Sequence, residues 1–104
     1  MQAMQGISAD ELFVLLAAPE RRAILNHLHT TQDVPAADLI QHIVSQWQIH
    51  EVRPDPHEIE VGLMHCHLPK LVESGMVEYD RSTGRVCRTS AADEADPYLA
   101  LIRD

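Results

Sequence analysis

Apolar residues in the first part of the chain recur every three or four positions, which is the spacing of one face of an α-helix. Ser8 lies three residues before Glu11, a capping-box pattern that predicts the start of a first helix over about 9–17. Pro19 suits the first turn of a second helix, which we expect to continue to about residue 29. The apolar positions that define these two helices are Leu12, Leu15, Leu16, Ile24, Leu25 and Leu28.

The same helical spacing continues beyond a polar break at residues 30–35. It predicts a third helix directly after this break, then a connection over 48–55, then a fourth helix over about 56–74. Pro69 lies inside the fourth helix. Because proline removes one backbone hydrogen bond and crowds the carbonyl four residues earlier, we expect a kink near Cys66 or a restart at Pro69.

The rest of the chain predicts a hairpin and a last helix. Residues 76–80 and 85–89 are short strand candidates on either side of a turn. Residues 90–96 are small and acidic and are predicted as a linker, after which residues 97–103 form a C-terminal helix opened by proline. This order favours a single α+β domain of the winged helix-turn-helix type, with its core over 8–89. We expect the core to contain Leu12, Leu16, Ile24, Leu28, Leu39, Ile43, Leu68, Leu71, Val77 and Val86.

The composition is that of one globular domain. Hydrophobic residues make up 45% of the 104 residues, which is enough for a packed core. No apolar run approaches the roughly 20 residues that span a bilayer, and the first residues lack the charged and apolar regions of a signal peptide. We therefore expect a cytoplasmic protein. Cys66 and Cys87 lie far apart in the sequence and do not suggest a disulfide framework.

The charged residues are strongly biased toward carboxylates. Sixteen acidic and eight basic residues give a formal net charge of −8, and Lys70 is the only lysine. A dense carboxylate surface stays hydrated in concentrated salt, so this composition favours a protein from a salt-rich cytoplasm. An ordinary acidic protein is the alternative.

Two segments resemble a known group of regulators. Residues 16–25, LAAPERRAIL, are similar to the start of the second helix in ArsR-like proteins. Residues 67–80, HLPKLVESGMVEYD, are similar to the end of their recognition helix and the strand that follows, and they most resemble a haloarchaeal ArsR-like family of unassigned function. The resemblance covers about 12–89. It implies a dimeric transcriptional regulator whose fourth helix enters the major groove of DNA and whose hairpin forms a wing.

The start of the predicted recognition helix departs from this pattern. Residues 55–61 read DPHEIEV and carry three carboxylates where such regulators are often rich in arginine and lysine. Carboxylates repel phosphate, and among base edges they accept hydrogen bonds only from cytosine. The alternative function is therefore a winged-helix protein-interaction module without DNA readout.

Half of the basic residues fall at the end of the fourth helix and in the hairpin. We expect these side chains to contact DNA phosphates, and the alternative is that the hairpin arginines pair with Glu78 and Asp80. Histidines on the fourth helix are weaker candidates for the face that meets DNA. The candidate DNA-binding residues are thus Lys70, Arg81, Arg85, Arg88, His57, His65 and His67.

Two arginines outside this set, and His67 within it, have further interpretations. Arg21 and Arg22 offer a second phosphate contact, or else surface ion pairs with Glu20 or Asp38. His67 falls on the resembled motif and either braces the helix or faces DNA.

The triplet His65-Cys66-His67 raises a metal hypothesis, because the wider ArsR group senses metals through thiolates and imidazoles. Helix positions two apart point about 200° away from each other, so the two histidines cannot close one chelate. Cys87 would have to approach from the hairpin. We therefore predict no metal and no cofactor. We also expect no enzymatic activity, since the sequence holds no nucleophile elbow, glycine-rich phosphate loop or zincin pattern.

Apolar residues at both ends of the chain suggest self-association. A small monomer does not need this apolar surface, and terminal helices that pair across a two-fold axis would bury it. We therefore expect a homodimer through the terminal helices, with a C-terminal helix folded onto its own core as the alternative. The residues concerned are Met1, Met4, Ile7, Tyr98, Leu99 and Ile102.

Overall fold

The computed structural model describes residues 7–48 and 55–102. Its first helices, α1 (Ala9–Leu16), α2 (Pro19–Thr31) and α3 (Ala36–Gln48), lie where the apolar spacing predicts them. The capping box at the start of α1 is formed, with the Ser8 hydroxyl accepting from the Glu11 amide at 3.1 Å. Most of the predicted 48–55 connection lies outside the described residues.

The sheet has three antiparallel strands, of which the sequence predicts two. Strands β2 (Val77–Asp80) and β3 (Arg85–Arg88) form the expected hairpin. A third strand, β1 (Asp33–Pro35), lies in the segment that we predicted as a polar break and pairs with β3, giving the order β1-β3-β2. Three residues are too few to show an alternating pattern, so β1 is defined by its partner rather than by its own sequence. The fold is therefore α+β and mostly helical.

The fourth helix is interrupted as Pro69 predicts. It begins as α4 (Pro56–Gly62), widens into a π-helical turn over Leu63–His67, and resumes as α5 (Leu68–Glu73). The Leu68 amide donates to the carbonyl of Leu63, five residues back. A π turn adds one residue to the helical turn and so relieves the crowding that the ring of Pro69 would cause in a regular helix.

Helix α5 ends in a Schellman motif at Gly75. The Met76 amide donates to the Leu71 carbonyl and the Gly75 amide to the Val72 carbonyl, both at 3.0 Å. Gly75 has φ +84°, a conformation that favours glycine, and this places the buried Met76 back against the core.

One core lies between the helices and the sheet, and all ten predicted core residues are buried. The core also holds eight residues outside that predicted set. They are Leu15, Leu25, Val34, Leu63, Met76, Ala92, Ala95 and Leu99.

The segment predicted as an acidic linker is part of the packed domain. Residues Ser90–Ala95 form a 3₁₀-helix that buries Ala92 and Ala95, and α6 (Asp96–Ile102) follows without a break. Leu99, which we expected at a dimer surface, is only 1% exposed within the single chain. Small alanines allow this close packing, and the sequence predicts a linker here because alanine is neither large nor strongly apolar.

The remaining terminal residues fall into two groups. Ile7 and Tyr98 are partly buried and pack against the core. Met1, Met4 and the side chain of Ile102 lie outside the described part of the structure. Among the described residues, no helix is both long enough and apolar enough to cross a membrane.

Candidate nucleic-acid interface

Arg88 faces the interior rather than the predicted DNA surface. Its side chain is 8% exposed, and its Nη1 and Nη2 atoms lie 2.7 Å from Asp93 and 2.8 Å from Asp96. Burial alone would lower the pKa of this guanidinium, but the hydrogen bonds that it donates to Asp93 and Asp96, and their negative charges, outweigh burial and raise the pKa. Arg88 therefore joins β3 to the C-terminal segments, and we remove it from the candidate interface.

Arg85 keeps an accessible guanidinium. Its Nε donates to Asp33 Oδ1 at 2.8 Å, across the β1–β3 pair, and the two side chains are about half exposed, at 47% and 49%. The carboxylate partner is thus on β1, and not Glu78 or Asp80 as the alternative interpretation held. An exposed pair of this kind contributes little to stability, so a phosphate can compete with Asp33 for Arg85.

Lys70 and Arg81 are exposed but line different grooves. Lys70 borders a groove against α1 whose other side carries Asp10 and Glu11. Arg81 borders a groove between the hairpin and the fourth helix, where it is accompanied by His65. The four predicted phosphate contacts therefore do not form one continuous patch.

The carbonyl end of α1 accepts hydrogen bonds from both Arg21 and Arg22. Arg21 donates to the carbonyls of Leu15 at 2.6 Å and Val14 at 3.1 Å. Arg22 donates to the carbonyl of Leu16 at 2.8 Å. The last turn of α1 has no basic residue of its own, so α2 supplies the positive charge that a helix C-terminus favours.

This capping role was missing from the sequence interpretation. The sequence feature that indicates such capping lies at the junction of α1 and α2. Helix α1 ends without a basic residue, and α2, which begins after two residues, carries two arginines near its start.

The three candidate histidines occupy two environments. His57 and His65 are exposed on the fourth helix. The His67 side chain is only 14% exposed and contacts Arg21 and Glu20 of α2. Burial lowers the pKa of His67, helped by the nearby charges of Arg21 and Lys70 and opposed by Glu20. His67 therefore braces the helix, one of the two roles we expected for it.

Helix α4 packs against the core through the partly buried Ile59 and presents an acidic surface to solvent. None of its residues is fully buried. Asp55, Glu58 and Glu60 are exposed along it, and Val61 adds an apolar side chain that is 44% exposed. The acidic character predicted for the start of the fourth helix is thus a property of its accessible surface.

The described residues hold no group of three or more side chains placed to ligate a metal ion. Cys66 is exposed and Cys87 is half-buried, and both are free thiols.

Residues 13–87 match the model of a family described as "Domain of unknown function (DUF7344)". No curated protein and no solved structure matches the sequence.

Proposed function

The chain belongs to the DUF7344 family, and for this member we propose a role as a winged helix-turn-helix transcriptional regulator that binds double-stranded DNA. One observation carries the proposal. The hairpin β2–β3 directly follows the fourth helix, β1 adds to β3 in the order β1-β3-β2, and no residue of α4 is fully buried. In winged helix-turn-helix domains this order places a recognition helix and a wing side by side on DNA.

The hairpin supplies the phosphate contacts in this proposal. Arg81 is exposed in the turn of the hairpin, and Arg85 is exposed at the start of β3. Arginines on such a hairpin contact the phosphate backbone or enter the minor groove. His57 and His65, both exposed on the fourth helix, are the donors available to base edges or phosphates there.

Concentrated salt is the proposed working environment. Counterion release contributes little to DNA affinity at molar salt, and repulsion between a chain of net charge −8 and DNA is then screened as well. Affinity would depend more on shape and direct base contacts. A cytoplasmic location, in a halophilic archaeon, is part of the same proposal.

The deciding experiment is a selection of DNA duplexes from a random pool, with the full chain, in about molar KCl. We expect enrichment of a palindromic site by the wild type and loss of that enrichment in the Arg81→Ala/Arg85→Ala double variant. Arg81→Lys/Arg85→Lys is the matched control, because it keeps both charges and should keep part of the binding. A folded wild type that enriches no sequence would contradict the proposal.

A second function, a protein-interaction module, is favoured by the carboxylates Asp55, Glu58 and Glu60 on α4. Such a surface fits a basic partner. The Glu58→Gln/Glu60→Gln variant separates the two functions. If α4 lies against phosphates, the affinity of this variant for a selected DNA should rise. If the second function is correct, no DNA is selected, and the variant should lose affinity for a basic partner.

A further inference from the structure

Arg21 connects two parts of the domain that are far apart in the sequence. Only 7% of it is exposed. Its Nε and Nη2 atoms donate to the carbonyls of Leu15 and Val14 at the end of α1, and its Nη1 lies 3.3 Å from Nδ1 of His67 in the π turn. One buried guanidinium therefore bridges the end of α1 and the interruption of the fourth helix.

This bridge defines the protonation state of His67. A guanidinium can only donate, so Nδ1 of His67 must accept and the ring proton must sit on Nε2. Nε2 lies 3.8 Å from Oε2 of Glu20, on the same helix as Arg21. The ring also lies beside Gly62, where an added Cβ would be 3.8 Å from Cδ2 of His67. The neutral imidazole thus accepts from Arg21 on one side and lies near Glu20 and Gly62 on the others.

The π turn depends on such side-chain contacts because its backbone is weakened by Pro69. Proline donates no backbone hydrogen bond, and π-helical turns are less favourable than α-helical ones. Within the turn, Leu63 is fully buried, whereas His65 and Cys66 are exposed. His67 is thus the polar attachment of the π turn to α2.

We propose that the hydrogen bond from Arg21 to neutral His67 fixes the π turn against α1 and α2, and that protonation of His67 releases it. A protonated ring would present a second donor to Arg21, so the hydrogen bond would be replaced by repulsion between two cations. The π turn would then keep its apolar contacts and the attraction of the protonated ring to Glu20, but it would lose the hydrogen bond from Arg21. A change of pH would therefore alter the helix that carries the proposed DNA surface.

The surroundings of His67 favour the neutral ring, which keeps the hydrogen bond from Arg21, and burial of the ring is the largest cause. Arg21 of α2 and Lys70 of α5 oppose a positive ring, and Glu20 of α2 favours it. Asp55 and Glu58 of α4 line the same small groove as His67 and Glu20 but are solvent-exposed. Burial of the ring adds to the opposition, so the pKa of His67 lies below its ordinary value. Neutral His67 is the form that the folded state selects.

The release mechanism follows from contacts within the chain and does not require that the protein bind DNA. The test is therefore made on the free protein in about molar KCl, by NMR between about pH 7.5 and pH 5. We expect the ring of His67 to titrate below the usual histidine range. The backbone amides of Leu63 and Leu68 should shift with the same midpoint, and their exchange, corrected for intrinsic rates, should accelerate about tenfold on protonation.

His67→Asn removes the titration while keeping an acceptor near the position of Nδ1, so exchange in the π turn should become independent of pH. His65→Asn, an exposed position two residues away, is the matched control and should keep the wild-type dependence. The proposal is overturned if the wild-type amides of the π turn do not follow the titration of His67. It is also overturned if folded His67→Asn retains the acceleration. If His67→Asn does not fold, the wild type alone tests the proposal, by whether the amides of the π turn follow the titration of His67.

Discussion

Arg88 and Asp96 form an ion pair that joins the sheet to the C-terminal helix. One nitrogen of Arg88 contacts both carboxylate oxygens of Asp96, at 2.8 and 3.0 Å, and the other nitrogen contacts Asp93 at 2.7 Å. Asp96 also lies 3.4 Å from Nδ1 of His29 on α2. The 3₁₀-helix and α6 are thus held to β3 and α2 by polar contacts as well as by Leu99.

This geometry predicts different stability effects for two arginines of the same strand. Arg88→Ala should lower the free energy of unfolding by about 2 to 4 kcal/mol, because it leaves Asp96 partly buried without its partner. Arg85→Ala should stay within about half a kcal/mol, because its pair with Asp33 is exposed. Urea unfolding of both variants measures the contrast. Equal effects would show that Arg88 is no more important to the fold than Arg85.

The sequence predicts most helices because their apolar spacing extends over several turns, as in α2 and α3. It predicts the interruption near Cys66 because Pro69 has a defined steric effect. It does not predict β1, which is too short for a pattern, or the burial of Ala92 and Ala95, which depends on what packs against them. The spacing of apolar residues predicts long helices, whereas short elements such as β1 are specified by contacts with residues distant in the chain.

The core prediction can be tested at the junction of the π turn and α5. Leu68 is 2% exposed, so Leu68→Ala should cost about 2 to 5 kcal/mol through lost burial and the cavity left behind. Val72, one turn along the same helix, is 42% exposed, and Val72→Ala should change stability by less than about half a kcal/mol. Chemical denaturation compares the two, and a similar loss in both would contradict the assigned burial.

Gly62 within the fourth helix and Gly75 just after it should respond to alanine in opposite directions. At Gly75, φ +84° is unfavourable for any residue with a Cβ, so Gly75→Ala should destabilise by about 1 kcal/mol. Gly62 has φ −61° and ordinary contact distances to His67, so Gly62→Ala should stabilise by about 0.5 to 1 kcal/mol. Thermal unfolding gives the sign of each change. Destabilisation by both variants would mean that the conformation at Gly62 is under another constraint.

His42 makes stability depend on pH independently of His67. Its ring stacks on that of His27, with centroids 4.1 Å apart. Burial, and then the charge of His27, lower the pKa of His42 below its ordinary value. The folded state therefore binds the proton less tightly than the unfolded chain, and stability present above about pH 6.5 is lost as the pH falls through the lowered pKa.

His42→Phe keeps a stacked ring without the titration and should flatten this loss, measured as urea midpoints between about pH 8 and pH 5. His57→Gln, at an exposed position on α4, should leave the wild-type profile unchanged. If the urea midpoints of His42→Phe depend on pH as those of the wild type do, His42 is not a source of the pH dependence.

The candidate site was less predictable than the fold, because the role of an arginine depends on which acceptors the fold brings to it. Arg81 and Arg85 remain accessible, whereas Arg21 and Arg88 are enclosed by carbonyls or carboxylates from other elements. Arginine is well suited to both situations, since its planar donors match phosphate and protein acceptors equally. Charge clustering along a sequence therefore does not distinguish a binding surface from an internal network.

The proposed homodimer predicts where the contact lies. Leu101 is 83% and Phe13 55% exposed, and with Tyr98 they line one groove between α1 and α6. Phe13 meets Tyr98 edge to face, with centroids 5.5 Å apart, so the two helices present a continuous apolar surface. A second copy would cover it. Leu101→Glu should convert the dimer to a monomer, because pairing would bury a carboxylate in that surface.

Sedimentation velocity at micromolar concentration in about molar KCl measures the association state, and the salt keeps repulsion between acidic chains screened. Val61→Glu is the matched control, because Val61 is also exposed and apolar but lies on α4. It should remain dimeric. A monomeric wild type under these conditions would contradict the homodimer itself. A dimer that Leu101→Glu leaves intact would instead move the contact to another surface, since a buried carboxylate at this groove is incompatible with pairing there.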